Sequence, residues 1–380
     1  MTFSKNLAFV FIGGEHQVLH LAPVAAAISL RHPNIAVECI CADERTATAL
    51  LKVAETMGAG TMKVTQITWP WASRMAARLT GIQSSAKGPL LAKIRWLLRN
   101  SHAIIVPERT SAALRCLGWR RPLIHFRHGA GDRAPSSEVR LRAFDFIFVA
   151  GQKDIERAVA QGIDRKKLSA VGYIKMDYLR TMPAGSRLFD NDRPIVVYNP
   201  HFDRSISSIS LARDVIARFR EQERFNLIFA PHIRAFENLD AVSRAKWQKL
   251  SEPGHIIVDL DSPRLFDMTY TRAASIYLGD MSSQLYEFLT TPRPVAFLNA
   301  HGANWKDDSR YAGWHLGEVG SGTDDVLDVI DRAFARHPER VQKQSEAVAL
   351  AFGDYEGAIT RAAGQLRQAF NRRDPLSVRF

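Results

Sequence analysis

Two serines and an aspartate follow an apolar run in the stretch IYLGDMSS at residues 276–283. An amphipathic pattern begins directly after them, which is typical of a strand, a tight loop and the start of a helix. The free N–H groups and the dipole at such a start favour an anion, so Asp280, Ser282 and Ser283 predict a phosphate site. The alternative is an ordinary serine N-cap, which helices use routinely.

A histidine stands where another predicted strand gives way to glycines. Residues 122–126 (PLIHF) lead into Arg127, His128 and Gly129. Because ligands of parallel sheets lie at the carboxyl ends of strands, His128 is a candidate general base. The alternative is a histidine that only hydrogen-bonds to the backbone.

Further polar side chains end the predicted strands of the C-terminal half. Asn199 and His201 follow one strand, His232 follows the next, and Asp280 with its two serines follows a third. Parallel strands bring their carboxyl ends to one edge of the sheet, so we expect these residues to line one pocket. Their convergence, rather than any single member, predicts the site.

A glycine loop ends the first predicted strand, at residues 7–12. It consists of Gly13, Gly14, Glu15 and His16, and a helical pattern follows it. The spacing is not G-x-G-x-x-G, so the loop does not indicate a dinucleotide. Its place at a strand end still makes it a candidate ligand loop.

Strands and helices alternate along most of the 380 residues, which predicts parallel, doubly wound α/β sheets. The length fits two domains, each with its own core. We expect one domain over residues 1–182, a linker over 183–193 and a second domain over 194–340. Residues 338–373 are expected to form a long charged helix, and the segment 341–380 to pack back across both domains.

The formal net charge of +12 indicates an anionic partner: nucleic acid, an acidic membrane or a phosphorylated substrate. The three cysteines form no metal or disulfide framework and agree with a reducing cytoplasm. No apolar run is long enough for a signal peptide core or a spanning helix, so a soluble or peripheral protein is expected.

Residues 56–107 contain no Asp or Glu, and a basic segment with tryptophans occupies residues 69–100. A helical wheel over residues 89–100 places leucines and an isoleucine on one face. Such a basic amphipathic helix indicates binding to a membrane surface. The alternative is a surface helix that packs its leucines on the core. No nucleic-acid motif accompanies the charge, so nucleic acid is not an expected partner. The predicted membrane-surface residues are Trp69, Trp71, Lys93, Arg95, Trp96 and Arg99.

Several short motifs follow one another in order between about residue 120 and residue 335. They are His128-Gly129, GYIKMDYL at residues 172–179, Tyr198-Asn199-Pro200, Pro231-His232, Asp280 to Ser283, Phe288-Leu289 and Arg293-Pro294. This ordered set resembles the CDP-glycerol glycerophosphotransferase family, whose members build teichoic acids and related phosphopolyols.

The resemblance implies the GT-B fold: two Rossmann-like domains facing across a cleft, with the donor nucleotide on the C-terminal domain and the acceptor on the N-terminal one. It implies that His128 is the base, that His232 contacts the donor phosphate, and that Ser282 and Ser283 bind the pyrophosphate. It also implies a CDP-linked donor, a lipid-linked or membrane-proximal acceptor, and no metal or other cofactor. The expected location is peripheral, on the cytoplasmic face of the membrane.

The sequence departs from the family pattern at four positions. His201 and Ile233 replace a threonine and a proline, Met281 replaces a tyrosine, and Ala130 replaces a threonine. These changes leave two other functions open. One is a GT-B glycosyltransferase or a relative of the UDP-sugar 2-epimerases. The other is a non-catalytic protein that binds anionic lipid or a nucleotide.

Overall fold

The computed structural model describes residues 5–71, 75, 87–129, 131–132, 138–182, 187–322 and 324–371. Contacts divide the chain into two compact units. The first contains residues 1–129, 135–181 and 352–380, and the second contains residues 130–134 and 182–351. Residues 183–186 of the predicted linker lie outside the described residues.

The first unit is built on a seven-stranded sheet in the order β3-β2-β1-β4-β5-β6-β7, with all described pairings parallel. Its strands are β1 (Lys5–Phe11), β2 (Ile35–Cys41), β3 (Lys63–Gln66), β4 (Ala103–Val106), β5 (Leu123–Phe126), β6 (Phe146–Val149) and β7 (Leu168–Ala170). Its helices are α1 (Val18–Arg31), α2 (Glu44–Thr56), α3 (Lys87–Leu97), α4 (Gln152–Ala160), α5 (Ile174–Arg180) and α12 (Ala358–Asn371). The central strands are mostly apolar and buried because both faces of the sheet are covered, although β5 contains the buried His125 and β1 begins with Lys5 and Asn6.

The second unit is built on a six-stranded parallel sheet in the order β10-β9-β8-β11-β12-β13. Its strands are β8 (Ile195–Asn199), β9 (Asn226–Phe229), β10 (Ile256–Val258), β11 (Ile276–Gly279), β12 (Val295–Asn299) and β13 (Glu318–Ser321). Its helices are α6 (Ala212–Arg220), α7 (Ala241–Gln248), α8 (Thr269–Ala273), α9 (Ser283–Phe288) and α10 (Val326–Arg336), and α11 (Val341–Phe352) leads back to the first unit. The predicted doubly wound α/β class is confirmed.

Each sheet has one point where the strand order reverses, between β1 and β4 in the first unit and between β8 and β11 in the second. Ligands of open α/β sheets bind beyond the carboxyl ends of the strands at such points. Asn199 lies beside Gly279 in the register of β8 and β11. The residues that follow these two strands therefore start from neighbouring positions.

The predicted long C-terminal helix is wrong. Helix α11 ends at Phe352, α12 begins at Ala358, and Gly353 and Gly357 in the break have φ angles of 59° and 70°. Residues that carry a side chain rarely adopt these backbone angles, so the two glycines allow the chain to leave one helix and enter the next. The buried Asp177 of α5 fixes the new start by accepting the N–H groups of Gly357 (3.0 Å) and Ile359 (2.9 Å).

Asp280 fixes the loop that follows β8. Its side chain is fully buried, and its carboxylate accepts the backbone N–H of His201 at 2.8 Å and that of Ser208 at 3.0 Å. The phenol of Tyr198 donates to the carbonyl of Ser208 at 2.7 Å. A buried carboxylate that satisfies backbone donors holds a loop with charge-assisted hydrogen bonds. Asp280 therefore positions the loop after β8 through buried hydrogen bonds and is not itself exposed to a ligand.

Asn199 performs a similar task one strand away. Its amide nitrogen donates to the carbonyl of Ala230 at 2.5 Å, and its amide oxygen accepts the phenol of Tyr277 at 3.0 Å. Because all three groups are buried, these bonds tie the ends of β8, β9 and β11 together. Asn199, like Asp280, is a positioning residue of the strand ends.

Replacing Asp280 should destabilise the second unit in two distinguishable ways. Asp280→Ala leaves the N–H groups of His201 and Ser208 without an acceptor, which should cost about 2–4 kcal/mol in the free energy of unfolding. Asp280→Asn should cost less, because one amide oxygen can accept both N–H groups. Urea denaturation at neutral pH measures both values, and equal losses for the two variants would contradict the assigned bonds.

The same variants test the charge of Asp280. Burial raises the pKa of its carboxyl to about 6, above the ~3.9 of an unfolded chain. The folded protein then keeps a proton that the unfolded chain has released, so this group's contribution to stability falls as the pH rises from about 4 to 6. Asp280→Asn should remove that fall. If the free energy of unfolding of this variant depends on pH as in the wild type, the raised pKa of Asp280 is contradicted.

Candidate functional site

Two neighbouring strands of the second unit end in the same dipeptide. Pro200 and His201 follow β8, while Pro231 and His232 follow β9, and the N–H of His232 donates to the carbonyl of Pro200 at 2.9 Å. The two imidazole ring centroids are 5.4 Å apart. The structure thus brings together the two histidines that the sequence placed at strand ends.

Both rings are held in the same tautomer. Nδ1 of His201 accepts the backbone N–H of Asp203 at 3.0 Å, and Nδ1 of His232 accepts that of Arg234 at 3.2 Å. A nitrogen that accepts a hydrogen bond carries no proton, so the proton of each neutral ring lies on Nε2. Both residues can therefore present an Nε2–H donor, which suits the oxygen atoms of a phosphate.

Phe202 lies beside both histidines. Its ring centroid is 4.3 Å from that of His201 and 4.7 Å from that of His232, and the Arg234 guanidinium lies 4.2 Å from the Phe202 centroid. Such packing limits the rotation of the two imidazoles, and the arginine adds positive charge beside them. The arrangement places oriented donors beside a positive charge, and anion binding here stays a prediction.

The two serines of the opening stretch have different surroundings. The hydroxyl of Ser282 is the N-cap of α9, because it accepts the N–H of Gln284 at 3.2 Å, and its residue is buried. Ser283 is half-buried. The ordinary N-cap that the sequence left open is thus present at Ser282. Ser283 offers the more accessible hydroxyl, and phosphate binding by the pair stays a prediction.

A short segment that the sequence did not single out lies against the start of α9. A side-chain carbon on Gly131 would be 3.1 Å from the backbone nitrogen of Ser283, so glycine permits the close approach. Asp132 anchors the segment by accepting the phenol of Tyr286 at 2.5 Å and the N–H of Gly313 at 2.8 Å. Both partners are more than 150 residues away in sequence, so no local pattern could have revealed the anchor.

His128 in the first unit has the opposite tautomer. Its Nδ1 lies 2.7 Å from the carbonyl oxygen of Pro107, which can only accept, so Nδ1 carries the proton and Nε2 is left with a lone pair. Burial lowers the pKa of His128 below its usual 6.5, although the Pro107 carbonyl and Glu108 oppose the shift. An uncharged ring with a bare Nε2 is the form that a general base needs.

Two more histidines, His16 and His20, lie near His128. The ring centroid of His16, from the predicted glycine loop, is 5.9 Å from that of His128, and the centroid of His20 is 6.2 Å away. His20 also lies edge-on to Tyr173 at 5.4 Å. Burial lowers the pKa of His20 well below its usual value, and the Lys175 ammonium lowers it further. The sequence signalled His16 but not His20, one helical turn later.

The glycine loop is shaped by a buried carboxylate. A side-chain carbon on Gly13 would lie 2.2 Å from both Gln17 and Glu108, so a larger residue would have to displace the ends of these two side chains. Glu108 is held by the Lys87 ammonium at 2.6 Å. Gly14 and Gly129 have φ angles of 108° and 71°, which glycine adopts without strain. Glu15, like Gly14, is half-buried at this strand end.

The leucine face of the basic segment belongs to the core. Helix α3 buries Leu90, Leu91 and Ile94, and Leu98 beyond it is buried as well, so the alternative to membrane insertion holds for these residues. Trp69 also packs on the core, and Lys93 donates to the carbonyl of Thr68. The partly exposed Arg95 lies near Gly118. Residues 72–74 and 76–86 of the segment lie outside the described residues.

Part of the segment remains at the surface. Trp71 and Trp96 are 73% and 62% exposed, and the Arg99 guanidinium lies 4.8 Å from the Trp96 ring centroid. Among the described residues, no helix is both long and apolar enough to cross a membrane. Nor do the described His, Cys, Asp and Glu side chains form a group of three that could hold a metal ion.

No protein-family model matches the sequence, and a search of curated proteins gives no significant relative. Solved structures match along nearly the whole chain. A putative UDP-N-acetylglucosamine 2-epimerase from Listeria monocytogenes has a TM-score of 0.66 at 14% identity, covering 98% of each chain. The UDP-N-acetylglucosamine 2-epimerase from Neisseria meningitidis, bound to UDP-GlcNAc, has a TM-score of 0.59 at 12% identity, covering 97% of this chain and 100% of the other.

The wall teichoic acid polymerase TagF has a TM-score of 0.61 at 10% identity, covering 98% of this chain and 91% of the other. Identities this low show the fold alone. The chain therefore has the GT-B fold, with two parallel-sheet α/β domains, and shares it with transferases and epimerases.

Proposed function

We propose that the protein transfers a glycerol-phosphate or related polyol-phosphate group from a CDP-linked donor to a hydroxyl of a membrane-associated acceptor. The observation that carries the proposal is the opposite tautomer of the histidines at the two sheet edges. His128 offers a bare Nε2, whereas His201 and His232 offer Nε2–H groups. This transfer requires a base and groups that donate hydrogen bonds to the phosphate oxygens.

In the proposed reaction, the acceptor hydroxyl oxygen forms a bond to the phosphorus that bears the polyol. The bond from that phosphorus to the bridging oxygen breaks, and CMP leaves with the electron pair. Nε2 of His128 takes the hydroxyl proton. His201 and His232 donate to the phosphate oxygens, where charge accumulates in the transition state, and the hydroxyl of Ser283 is the third donor.

The acceptor side of the proposal rests on the first unit. His16 and the Gly13–Gly14 loop lie with His128 at a strand end, where an acceptor hydroxyl would approach the base. The net charge of +12 favours an anionic or lipid-linked acceptor. We place the enzyme on the cytoplasmic face of the membrane, bound through exposed tryptophans and arginines rather than through the leucine face of α3.

Ligand-dependent stabilisation tests the donor. Purified protein should melt at a higher temperature with CDP-glycerol, CDP or CMP than with UDP or UDP-N-acetylglucosamine, because a ligand that binds only the folded state stabilises it by mass action. His232→Ala should reduce the shift, and His32→Ala at the end of α1 is the matched control.

Two other outcomes would overturn this donor. A shift with uridine nucleotides alone would make the protein a glycosyltransferase or a 2-epimerase-like enzyme on the same fold. If no nucleotide raised the melting temperature, His201, His232 and Ser283 would not form a donor site.

His128→Gln should separate chemistry from binding. Loss of the base should lower kcat by roughly 10²–10⁴-fold, while the donor-induced melting shift stays unchanged because the donor contacts lie in the second unit. Rates measured with a soluble hydroxyl acceptor, with His32→Gln as control, test this. Equal loss of donor binding and rate would contradict the assigned role.

The pH dependence gives a second criterion for the same residue. Because burial lowers the pKa of His128 below 6.5, the ring is uncharged at neutral pH and becomes protonated only in more acidic solution. Wild-type kcat/KM should therefore be flat near pH 7 and fall as the pH drops through that pKa. A fall centred above pH 7 would exclude His128 as the base.

The membrane contact is tested by co-sedimentation with vesicles. Wild-type protein should bind vesicles rich in anionic lipid, and less so at high salt, because screening weakens charge attraction. Trp96→Ser combined with Arg99→Gln should lower the bound fraction, with Arg220→Gln on α6 as control. Equal binding by all three proteins would remove these residues from the proposed membrane surface.

A further inference from the structure

A hollow of about 490 Å³ opens in the second unit, beside the loops that follow β8 and β9. Arg204 comes from the first loop and Arg234 from the second, so each loop carries a histidine and, two or three residues later, an arginine that lines the hollow. Ser210 and Asn238 add exposed polar groups, and Trp247 lies in the floor. A volume of this size accommodates a small organic molecule.

The charge of the hollow is positive and little neutralised. Arg204 is exposed and has no hydrogen bond or ion pair to any described residue, and no Asp or Glu lines the hollow. Arg234 reaches an acid only at a distance, with its Nε 4.0 Å from an Oε of Glu237. Two guanidinium groups with neighbouring hydroxyl and amide groups are the donors that bind a phosphate.

The floor of the hollow is apolar and preformed. The Trp247 ring stacks on Phe229 at 5.4 Å, meets Phe236 edge-on at 5.1 Å, and has the Arg213 guanidinium 4.5 Å from its centroid. Ile209 and Leu239 complete the floor. A ligand with only a phosphate would leave this apolar surface unused, whereas one that also has a flat ring or short hydrocarbon would cover it.

The hollow lies on a different face of the sheet from α9. Ile276 and Leu278 of β11 belong to the core cluster that also contains residues of α6 and the floor residue Phe236, and the floor residue Trp247 packs against this cluster. Tyr277, which alternates with them, contacts Phe288 of α9. Because successive residues of a strand point to opposite faces, the serines at the start of α9 lie on the side opposite the hollow.

We propose that the hollow is a second phosphate-ester site for a ligand that combines a phosphate monoester or diphosphate with a compact apolar or aromatic group. It adjoins the donor site at Arg234 but does not use the donors His201, His232 and Ser283. A nucleotide and a prenyl phosphate both have this chemistry. The ligand would rest on the two loops that carry His201 and His232, so its occupancy would be coupled to the donor site. The proposal does not depend on the identity of the donor.

The experiment measures binding by calorimetry to inorganic phosphate, CMP and geranyl monophosphate. The background variant is His201→Asn with His232→Asn, which removes both Nε2–H donors while an amide oxygen can still accept the loop N–H groups. In this background an ester should still bind. Adding Arg204→Gln and Arg234→Gln should weaken binding by about tenfold or more for each arginine.

The matched control replaces Arg193 and Arg220, which removes the same charge away from the hollow, and it should leave the affinity unchanged. Trp247→Leu should lower the affinity for the ester that binds best but leave the affinity for inorganic phosphate unchanged. Tighter binding of CMP assigns the site to a nucleotide, and tighter binding of geranyl monophosphate assigns it to a lipid phosphate.

Three results would overturn the proposal. They are loss of all binding in the histidine background, unchanged affinity in the arginine variants, and esters that bind no tighter than inorganic phosphate. None of them bears on the cytidine preference, so failure of this site and failure of the transferase proposal are distinguishable. Unaltered melting temperatures of the arginine variants would show that their loss of binding is not loss of folding.

Discussion

The proposed chemistry depends on what the backbone presents to the Nδ1 atom of each histidine. A carbonyl opposite Nδ1 fixes the proton there and leaves Nε2 free to accept, as in His128. A backbone N–H opposite Nδ1 makes Nε2 the donor, as in His201 and His232. One residue type thus serves as acceptor in one unit and as donor in the other, because strand-end loops present different backbone atoms.

Buried carboxylates hold one of these loops and two other segments in place. Asp280 accepts N–H groups of the loop after β8, Asp132 anchors the segment at Gly131, and Asp177 fixes the start of α12. Each accepts backbone donors from a segment more than 70 residues away. An ionised carboxylate without such donors would be costly to bury, so the loop and its anchor are stable only together.

The sequence predicted the strands and their polar ends well, because a buried parallel strand needs a continuous apolar run and the residue after it is forced to the ligand edge. It placed His128, His201 and His232 correctly at strand ends. It could not identify His20 or Asp132 as neighbours of the candidate site residues, because their contacts join segments far apart in the chain. It also misjudged the leucines of α3, since amphipathicity is the same whether the apolar face meets core or lipid.

The loop after β8 explains what His201, one departure from the pattern that the sequence resembles, does in this chain. At the position of His201 the family has threonine, whose hydroxyl can donate or accept; the imidazole instead pairs with His232, 5.4 Å away, and its Nδ1 is committed to the backbone. Phe202 then packs between the two rings and the Arg234 guanidinium. An imidazole at this position is an oriented donor, whereas a threonine hydroxyl is adaptable, so the loops of this chain can present two directed hydrogen bonds of the kind that a phosphate accepts.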